Sequence, residues 1–284
     1  MIAITGATGQ LGRLVIQNLL KTVPASQIVA AVRSPAKAAD LAALGVQVRH
    51  ADYAQPATLE AAFQGVDKLL LISSSEVGQR APQHAAVIAA AQQADVKLLA
   101  YTSILRADSS PLALAAEHKE TEAMLRASGL PHVLLRNGWY TENHTGSVGA
   151  ALQYGAVLGS AKDGRIASAA RADYAAAAAA VLTKDDQAGR VYELAGDTAY
   201  TLAGFAVEIA KQSGKAVVYN DLAQAAYAAA LVQAGLPEGF AALLADADVG
   251  ASQGALFDDG HQLSQLIGRP STPLADGVKA ALAG

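Results

Sequence analysis

The sequence predicts an α/β protein built on a doubly wound parallel sheet, and three observations carry that expectation. From Met1 to about Arg136, short apolar runs alternate with longer segments whose apolar residues recur at helical spacing. The runs are apolar throughout rather than alternating, as strands are when both faces of their sheet are covered. Between the first run and the first helical segment stands Gly6-Ala7-Thr8-Gly9-Gln10-Leu11-Gly12, a glycine-rich turn suited to joining a strand to a helix.

Taken in order, the runs predict strands at Ile2–Thr5, Ile28–Val32, Val46–Arg49, Lys68–Ile72, Lys97–Thr102 and His132–Leu135. Leu11, Leu14, Val15 and Leu19 share one face of the helix after the glycine turn. Six such β/α units make a sheet that binds ligands at the carboxyl ends of its strands. After Asn137 the rhythm changes. Residues 137–149, rich in Gly, Asn, Thr and Ser, read as loop. Short strands are expected near Ala156–Leu158 and Arg165–Ser168, then an Ala-rich helix from Asp173, which reads equally as its cap. A strand at Val191–Leu194 and a helix capped by Thr201 and running to Gln212 follow. Beyond a strand at Val217–Tyr219 come several helices and a Gly/Asp-rich loop over Asp246–Asp259. The expected division is a core domain over 1–136 and a mixed segment over 137–284. The latter adds elements to the sheet and forms a smaller C-terminal α/β lobe for the substrate.

Composition excludes several classes of function. Of 284 residues, 52% are apolar and 16% charged, which favours a packed core over disorder. The formal net charge of −4 gives no concentrated basic face, so no nucleic-acid partner is expected. The chain has no cysteine, which removes disulfides and thiolate chemistry and fits a reducing, cytoplasmic setting. Met1-Ile2-Ala3-Ile4-Thr5 reads directly as a strand without a basic leader, so no secretory signal is expected. The apolar run Tyr174–Leu182 is far short of the ~20 residues that cross a bilayer, and no membrane partner is expected. His50, His84, His132, His144 and His261 show no ligand spacing, so no metal is expected; no flavin is expected either. A monomer or homodimer is expected.

The glycine turn points to a dinucleotide and to a Rossmann-type core. Its first glycine permits the tight turn, the second admits a pyrophosphate to the backbone, and the third lets helix pack on strand. Backbone N–H groups and the positive end of the helix dipole then face the phosphates. The nature of the dinucleotide is read at the end of the second strand, where an enzyme for NAD keeps an acidic residue ~20 residues past the last glycine. Here Val32-Arg33-Ser34-Pro35 and Lys37 stand instead. Two cations suit a 2′-phosphate, and the expected cofactor is NADPH.

Three stretches carry a more specific likeness: residues 1–12, Lys68 to Arg80 through Ser73-Ser74-Ser75, and Leu135-Arg136-Asn137-Gly138-Trp139-Tyr140-Thr141-Glu142-Asn143. With these the chain resembles the NmrA-like, atypical short-chain dehydrogenases/reductases from end to end. Within them it is similar to the bacterial NAD(P)H:quinone oxidoreductases of the second type and, more distantly, to triphenylmethane reductases. The resemblance implies positions. Ser73, Ser74 and Ser75 would lie beside the cofactor, and Asp52 and Tyr53 near the adenine. Asn137, Gly138, Trp139, Tyr140, Thr141 and Glu142 would pass the nicotinamide end, with Trp139 reading equally as an apolar plug. Asn143 and Ala169 would face the acceptor.

The instructive departure concerns proton supply. Ordinary short-chain dehydrogenases carry Tyr-x-x-x-Lys on the helix after the fifth strand, often with Glu four residues on. Placing that Glu at Glu122 puts His118 in the lysine place and Leu114 in the tyrosine place. Thr102-Ser103 remains, without its phenol partner. Ketone reduction, which needs a proton at a developing alkoxide, should be poor. A quinone accepts hydride to give a delocalised hydroquinone monoanion and needs mainly positioning and hydrogen-bond donors. Tyr140, Asn143 and His118 are the candidate donors, with Tyr140 and His118 the catalytic pair; His118 reads equally as a satisfied helix histidine. The expected function is two-electron quinone reduction by NADPH. Two alternatives stand beside it: a non-catalytic NADP sensor, and a reductase of another planar acceptor such as a triphenylmethane dye.

Overall fold

The computed structural model describes residues 1–283. Its first stretch runs β1 (Ile2–Thr5), α1 (Gln10–Leu19), β2 (Ile28–Val32), α2 (Ala39–Ala43), β3 (Gln47–His50), α3 (Pro56–Ala62), β4 (Lys68–Leu71), α4 (Arg80–Gln93), β5 (Leu98–Ile104), α5 (Ala115–Ser128) and β6 (His132–Asn137). There follow α6 (Thr141–Thr145), α7 (Val148–Tyr154), β7 (Ala156–Gly159), α8 (Arg171–Thr183) and β8 (Val191–Leu194). The rest comprises α9 (Leu202–Ser213), β9 (Val218–Asp221), α10 (Gln224–Gln233), α11 (Glu238–Ser252), α12 (Gln262–Ile267) and α13 (Leu274–Ala283).

Seven strands form one sheet in the order β3-β2-β1-β4-β5-β6-β8, and β1 to β6 pair in parallel. This is the doubly wound order, and its direction reverses between β1 and β4. The chain forms two compact units: residues 1–107, 116–137 and 171–192 make the first, and 108–115, 138–170 and 193–284 the second.

In the first unit the continuous apolar runs are explained by burial on both faces. All residues of β2 and β5 are buried. Val29, Leu69, Leu99 and Tyr101 pack against Leu59, Phe63, Val87 and Leu125. Each fully buried Leu or Phe contributes roughly 1.5–3 kcal/mol. Leu11, Val15, Ile16 and Leu19 form the buried stripe of α1, which packs on α8. The latter is alanine-rich because its Ala175, Ala177 and Ala178 are buried with almost no exposed surface, and small side chains let the helices approach closely. Strands β5 and β6 run past their expected ends through Ser103↔Arg136 and Ile104↔Asn137. Ser103 and Arg136 are buried there by pairing with Glu122, which a hydropathy pattern does not register.

In the second unit β7 and β9 pair in parallel, with Ala156 opposite Val218, and α9 packs on both. Thr201 caps α9 as expected, accepting from the Gly204 N–H at 3.0 Å. Three expectations fail here. Residues 137–149 hold α6 and the start of α7 rather than loop. Thr141 and Thr145 are buried against α13, where a Cβ on Gly277 would stand 2.9 Å from Thr141 Cγ2, so tertiary packing overrides poor helix propensity. Arg165–Ser168 forms only an isolated bridge, Ile166 to Tyr200, while the Ala167 N–H donates to the Leu256 carbonyl. The Asp246–Asp259 segment is helix as far as Ser252. Its acids are used inward: Asp246 accepts from the Ala113 N–H at 2.9 Å and Asp248 from the Ser160 N–H at 2.8 Å.

Candidate active site

The first unit places the glycine turn at the carboxyl end of β1, beside the reversal of strand order. Gly6 has φ +57°, a left-handed conformation that side chains resist, and its carbonyl accepts from the Gly9 N–H at 2.9 Å. A Cβ on Gly12 would stand 2.6 Å from the Gly6 carbonyl oxygen and 2.7 Å from Ala7 Cα. The third glycine is thus required for helix-on-turn packing. Gly9 begins α1 without a capping side chain, and no acid occupies the first helical turn. The first N–H groups of α1 therefore lack intrahelical partners and present an unopposed positive dipole end. A pyrophosphate fits this cradle.

Arg13 Nε donates to the Thr8 carbonyl at 3.2 Å, Nη2 to the Lys37 carbonyl at 2.8 Å, and Nη1 pairs with Asp40. It ties the glycine turn to the segment after β2. Sequence reading passed over Arg13; its place four residues past Gly9, on the helix that the turn opens, was the available signal. Arg33 is exposed and pairs with Glu76 at 2.9 Å. Hydrogen bonds from Gln83 and then Arg33 hold the Glu76 carboxyl below the usual range. The Lys37 side chain is also exposed.

After β3, Asp52 closes a turn by accepting from the Ala54 N–H at 3.0 Å and from Gln55 at 3.2 Å. The Tyr53 hydroxyl lies 2.6 Å from Thr5 Oγ1 and 2.9 Å from the Ile72 carbonyl, linking the ends of β1 and β4. Burial raises its pKa. Past β4, the Ser73 N–H donates to Thr102 Oγ1 at 2.9 Å and the Ser74 N–H to His84 Nε2 at 3.0 Å. Ser75, next in line, is exposed.

His118 is only 4% exposed. Its Nδ1 lies 2.7 Å from the Tyr101 hydroxyl and its Nε2 3.3 Å from Arg80 Nη1. Because the guanidinium can only donate, Nε2 accepts and the ring proton on Nδ1 faces Tyr101. Burial, then Arg80 and His84, hold its pKa well below the ordinary histidine value. The neutral ring therefore has no proton left to offer an acceptor. Thr102 and Ser103 are likewise engaged, the latter donating to Glu122 at 2.6 Å. Glu122, fully buried, accepts from Arg136 Nε at 2.9 Å and Nη2 at 2.6 Å, and from Arg126 at 2.8 Å. At the end of β6, Asn137 Oδ1 is buried without a hydrogen-bond partner. An unpaired buried acceptor at the carboxyl edge of this sheet fits an amide donor of a bound ligand.

The second unit holds the remaining residues that the sequence singled out. Trp139, Tyr140 and Thr141 run beside Ala169: the Ala169 N–H donates to the Trp139 carbonyl at 3.1 Å and the Thr141 N–H to the Ala169 carbonyl at 2.9 Å. Gly138 is held by its N–H on the Leu194 carbonyl at 2.8 Å. Glu142 and Asn143 open α6, with the Asn143 N–H on the Tyr140 carbonyl at 3.0 Å. The side chains of Tyr140 and Asn143 are partly exposed, whereas Trp139 and Ala169 are buried. His144, not singled out, joins a chain in which Thr141 Oγ1 lies 2.8 Å from Ser168 Oγ, Ser168 Oγ 2.9 Å from the Tyr200 hydroxyl, and Tyr200 2.7 Å from His144 Nδ1. Burial lowers the His144 pKa to about 4. Among the described residues no group of three or more His, Asp and Glu could hold a metal, and no helix is long and apolar enough to cross a membrane.

A doubly wound sheet with an uncapped glycine turn beside its reversal defines a dinucleotide-binding α/β protein. Residues 6–185 match the sequence model of the NAD(P)H-binding family, and the chain belongs to that family. It is 64% identical over 278 residues to quinone oxidoreductase 2 of Escherichia coli, spanning 98% of this chain and 97% of that one. The crystal structure of an NADPH-dependent quinone oxidoreductase of Escherichia coli complexed with NADPH matches with a TM-score of 0.97 and 63% identity, covering 99% of this chain and all (100%) of that one. Citrobacter sp. triphenylmethane reductase complexed with NADP(H) matches with a TM-score of 0.95 and 42% identity, over 99% of this chain and 100% of that one. The resemblance read from residues 1–12, Lys68 to Arg80 and Leu135 to Asn143 is borne out.

Proposed function

We propose that this chain is an NADPH-dependent oxidoreductase that transfers hydride to a quinone and releases the hydroquinone. The observation that carries the reading is 64% identity to quinone oxidoreductase 2 of Escherichia coli over nearly all of both chains. The unobstructed glycine cradle supports it. When bound, the reduced nicotinamide supplies the hydride.

The chain's own residues bind and orient. Gly6 to Gly12 hold the pyrophosphate through backbone N–H groups. Arg33 and Lys37 take the 2′-phosphate, and Arg33 exchanges its Glu76 partner to do so. Asp52 and Tyr53 border the adenine, and Ser73, Ser74, Ser75 and Asn137 to Glu142 border the nicotinamide half. Asn137 Oδ1, buried and unpaired, accepts from the carboxamide. Tyr140 and Asn143 hydrogen-bond the quinone oxygens, and Ala169 bounds the acceptor. Such donors stabilise charge that develops on oxygen as hydride arrives. With Leu114 where a phenol would stand, simple ketones receive no proton and stay inert. We assign His118 to support of this site rather than to proton delivery, because its ring proton is committed to Tyr101. A cytoplasmic setting accords with a chain that lacks cysteine, and the protein is taken to act as a monomer or homodimer.

The test is NADPH oxidation by purified protein, without added flavin or metal, against 1,4-benzoquinone, a small naphthoquinone, a ketone panel and a cationic triphenylmethane dye. Quinone turnover well above the enzyme-free rate, with ketones inert, is expected. The 42% identity to triphenylmethane reductase favours dye reduction as the second reading, and a dye rate exceeding the quinone rate would select it. Tight NADPH binding with no turnover of any acceptor would mark a sensor.

A further inference from the structure

The loop that follows β4 is gripped from beneath by α4, and by a network no part of the proposed chemistry uses directly. Both peptide groups of Ser74 are engaged: its N–H donates to His84 Nε2 at 3.0 Å, and its carbonyl accepts from Arg80 Nε. A backbone N–H can only donate, so His84 Nε2 carries no proton and the neutral ring is protonated on Nδ1. Nδ1–H then donates to Thr121 Oγ1 at 2.9 Å, whose hydroxyl donates to the Glu117 carbonyl at 3.0 Å. Arg80 lies 3.6 Å from Glu117, whose other carboxylate oxygen accepts from the Gly78 N–H at 2.7 Å. Every proton in the chain has one direction, set by two groups that cannot reverse.

This order is kept at a cost. Arg80 is 7% exposed, His84 and Thr121 are fully buried at 0%, and His118 is 4% exposed. A buried charged network seldom stabilises a fold more than well-packed apolar side chains would, so stability alone does not account for it. Its elements converge on one segment, Ser73 to Gly78, beside the reversal of strand order where ligands bind in this fold. Burial and the neighbouring Arg80 lower the His84 pKa to about 4, which keeps the ring an acceptor near neutrality.

We propose that Arg80 and His84 are positioning residues for the cofactor: together they fix both peptide planes of Ser74, and with them the face that Ser73 to Ser75 turns toward the nicotinamide half of NADPH. This rests on the function proposed above. His84 and Arg80 act through the loop and touch no reacting atom. Removing the acceptor would free the Ser74 N–H to turn, leaving the sheet assembled and the loop misdirected.

The experiment compares His84→Leu, which removes the acceptor at similar volume, with His84→Gln, whose amide oxygen can take the Ser74 N–H. We expect His84→Leu to lower kcat/KM for NADPH and the calorimetric NADPH affinity about tenfold or more. His84→Gln should stay within about threefold of wild type, although both variants lose some thermal stability. Equal loss in both variants, or unchanged affinity in folded His84→Leu, would overturn the proposal. A measurement on the wild type guards against a variant that does not fold. In 15N-histidine spectra His84 should show the Nδ1–H tautomer, and its signals should move on adding NADPH while those of His261 stay put. An Nε2–H tautomer, or an unmoved His84 signal at saturating NADPH, would sink the idea. Calorimetry and spectra need no acceptor, so they decide this point even if no quinone is turned over.

Discussion

The two units hold their buried histidines in different ways. In the first, the buried histidines are closed on both sides: His84 bonds Ser74 and Thr121, and His118 bonds Arg80 and Tyr101. Glu122 is bonded by Ser103, Arg126 and Arg136. In the second, His144 bonds Tyr200 through Nδ1 while its Nε2 is buried without a partner, in a ring cluster with Trp139 and Phe205. Burial also raises Asp248 there to a pKa of about 6. A closed network holds backbone in place, whereas an open one leaves groups whose protonation state the fold strains. The closed network of the first unit should therefore fail when a partner is removed, while pH should act on both units, through His84 in the first and through His144 and Asp248 in the second.

The largest effect should come from Glu122→Ala in the first unit. It takes a bidentate carboxylate partner from Arg136, which is 5% exposed. Breaking a buried ion pair costs about 3–5 kcal/mol, to be read from urea unfolding. A loss below about 1 kcal/mol would show that the network is not closed as described.

Next comes pH. Asp248 holds its proton in the folded state up to about pH 6, against 3.8 for an ordinary aspartate side chain, so its contribution to stability falls as pH rises through that window. His84 and His144, each lowered to about 4 from 6.5, act in the opposite sense: they must stay neutral when folded, and stability rises from pH 4 to 6.5. Each proton difference is worth at most about 1.4 kcal/mol per pH unit. Asp248→Asn should remove the opposing contribution and steepen the rise in stability between pH 4 and 6. An unchanged slope would mean that Asp248 is ionised throughout.

A smaller effect tests the exposed surface of the first unit. Arg33 is largely solvent-exposed, so its ion pair with Glu76 should add little to the fold. Arg33→Ala should leave the melting temperature nearly unchanged and weaken NADPH by about 1.5 kcal/mol, the low end for a charge-assisted contact because Glu76 competes. NADH affinity should hardly move. Equal weakening of both dinucleotides in calorimetry would remove Arg33 from the 2′-phosphate. Smallest is Thr201→Ala in the second unit, which loses the α9 cap at about 1 kcal/mol and should leave NADPH affinity alone.

The sequence by itself determined the parallel sheet, the glycine turn and the family. Each depends on local order: apolar runs buried on both faces, a turn that only glycine can make at Gly6, and near-contiguous motifs at Ser73–Ser75 and Asn137–Asn143. The absence of a tyrosine from α5 was legible for the same reason. Tertiary structure decided what depends on distant partners. Thr141 is helical because Gly277, far along the chain, leaves room for it. Asp248 is buried because the Ser160 N–H meets it. His118 read as a possible donor until Arg80 and Tyr101, on another helix and a strand, fixed which nitrogen holds its proton. Arg80 ends the Lys68–Arg80 stretch and His84 lies in no motif, and neither had a role assigned from sequence, since a hydrogen bond to Ser74 depends on how α4 packs and leaves no periodicity in the chain. Burial and pairing are properties of that packing, and they decide the direction in which each proton in this site points.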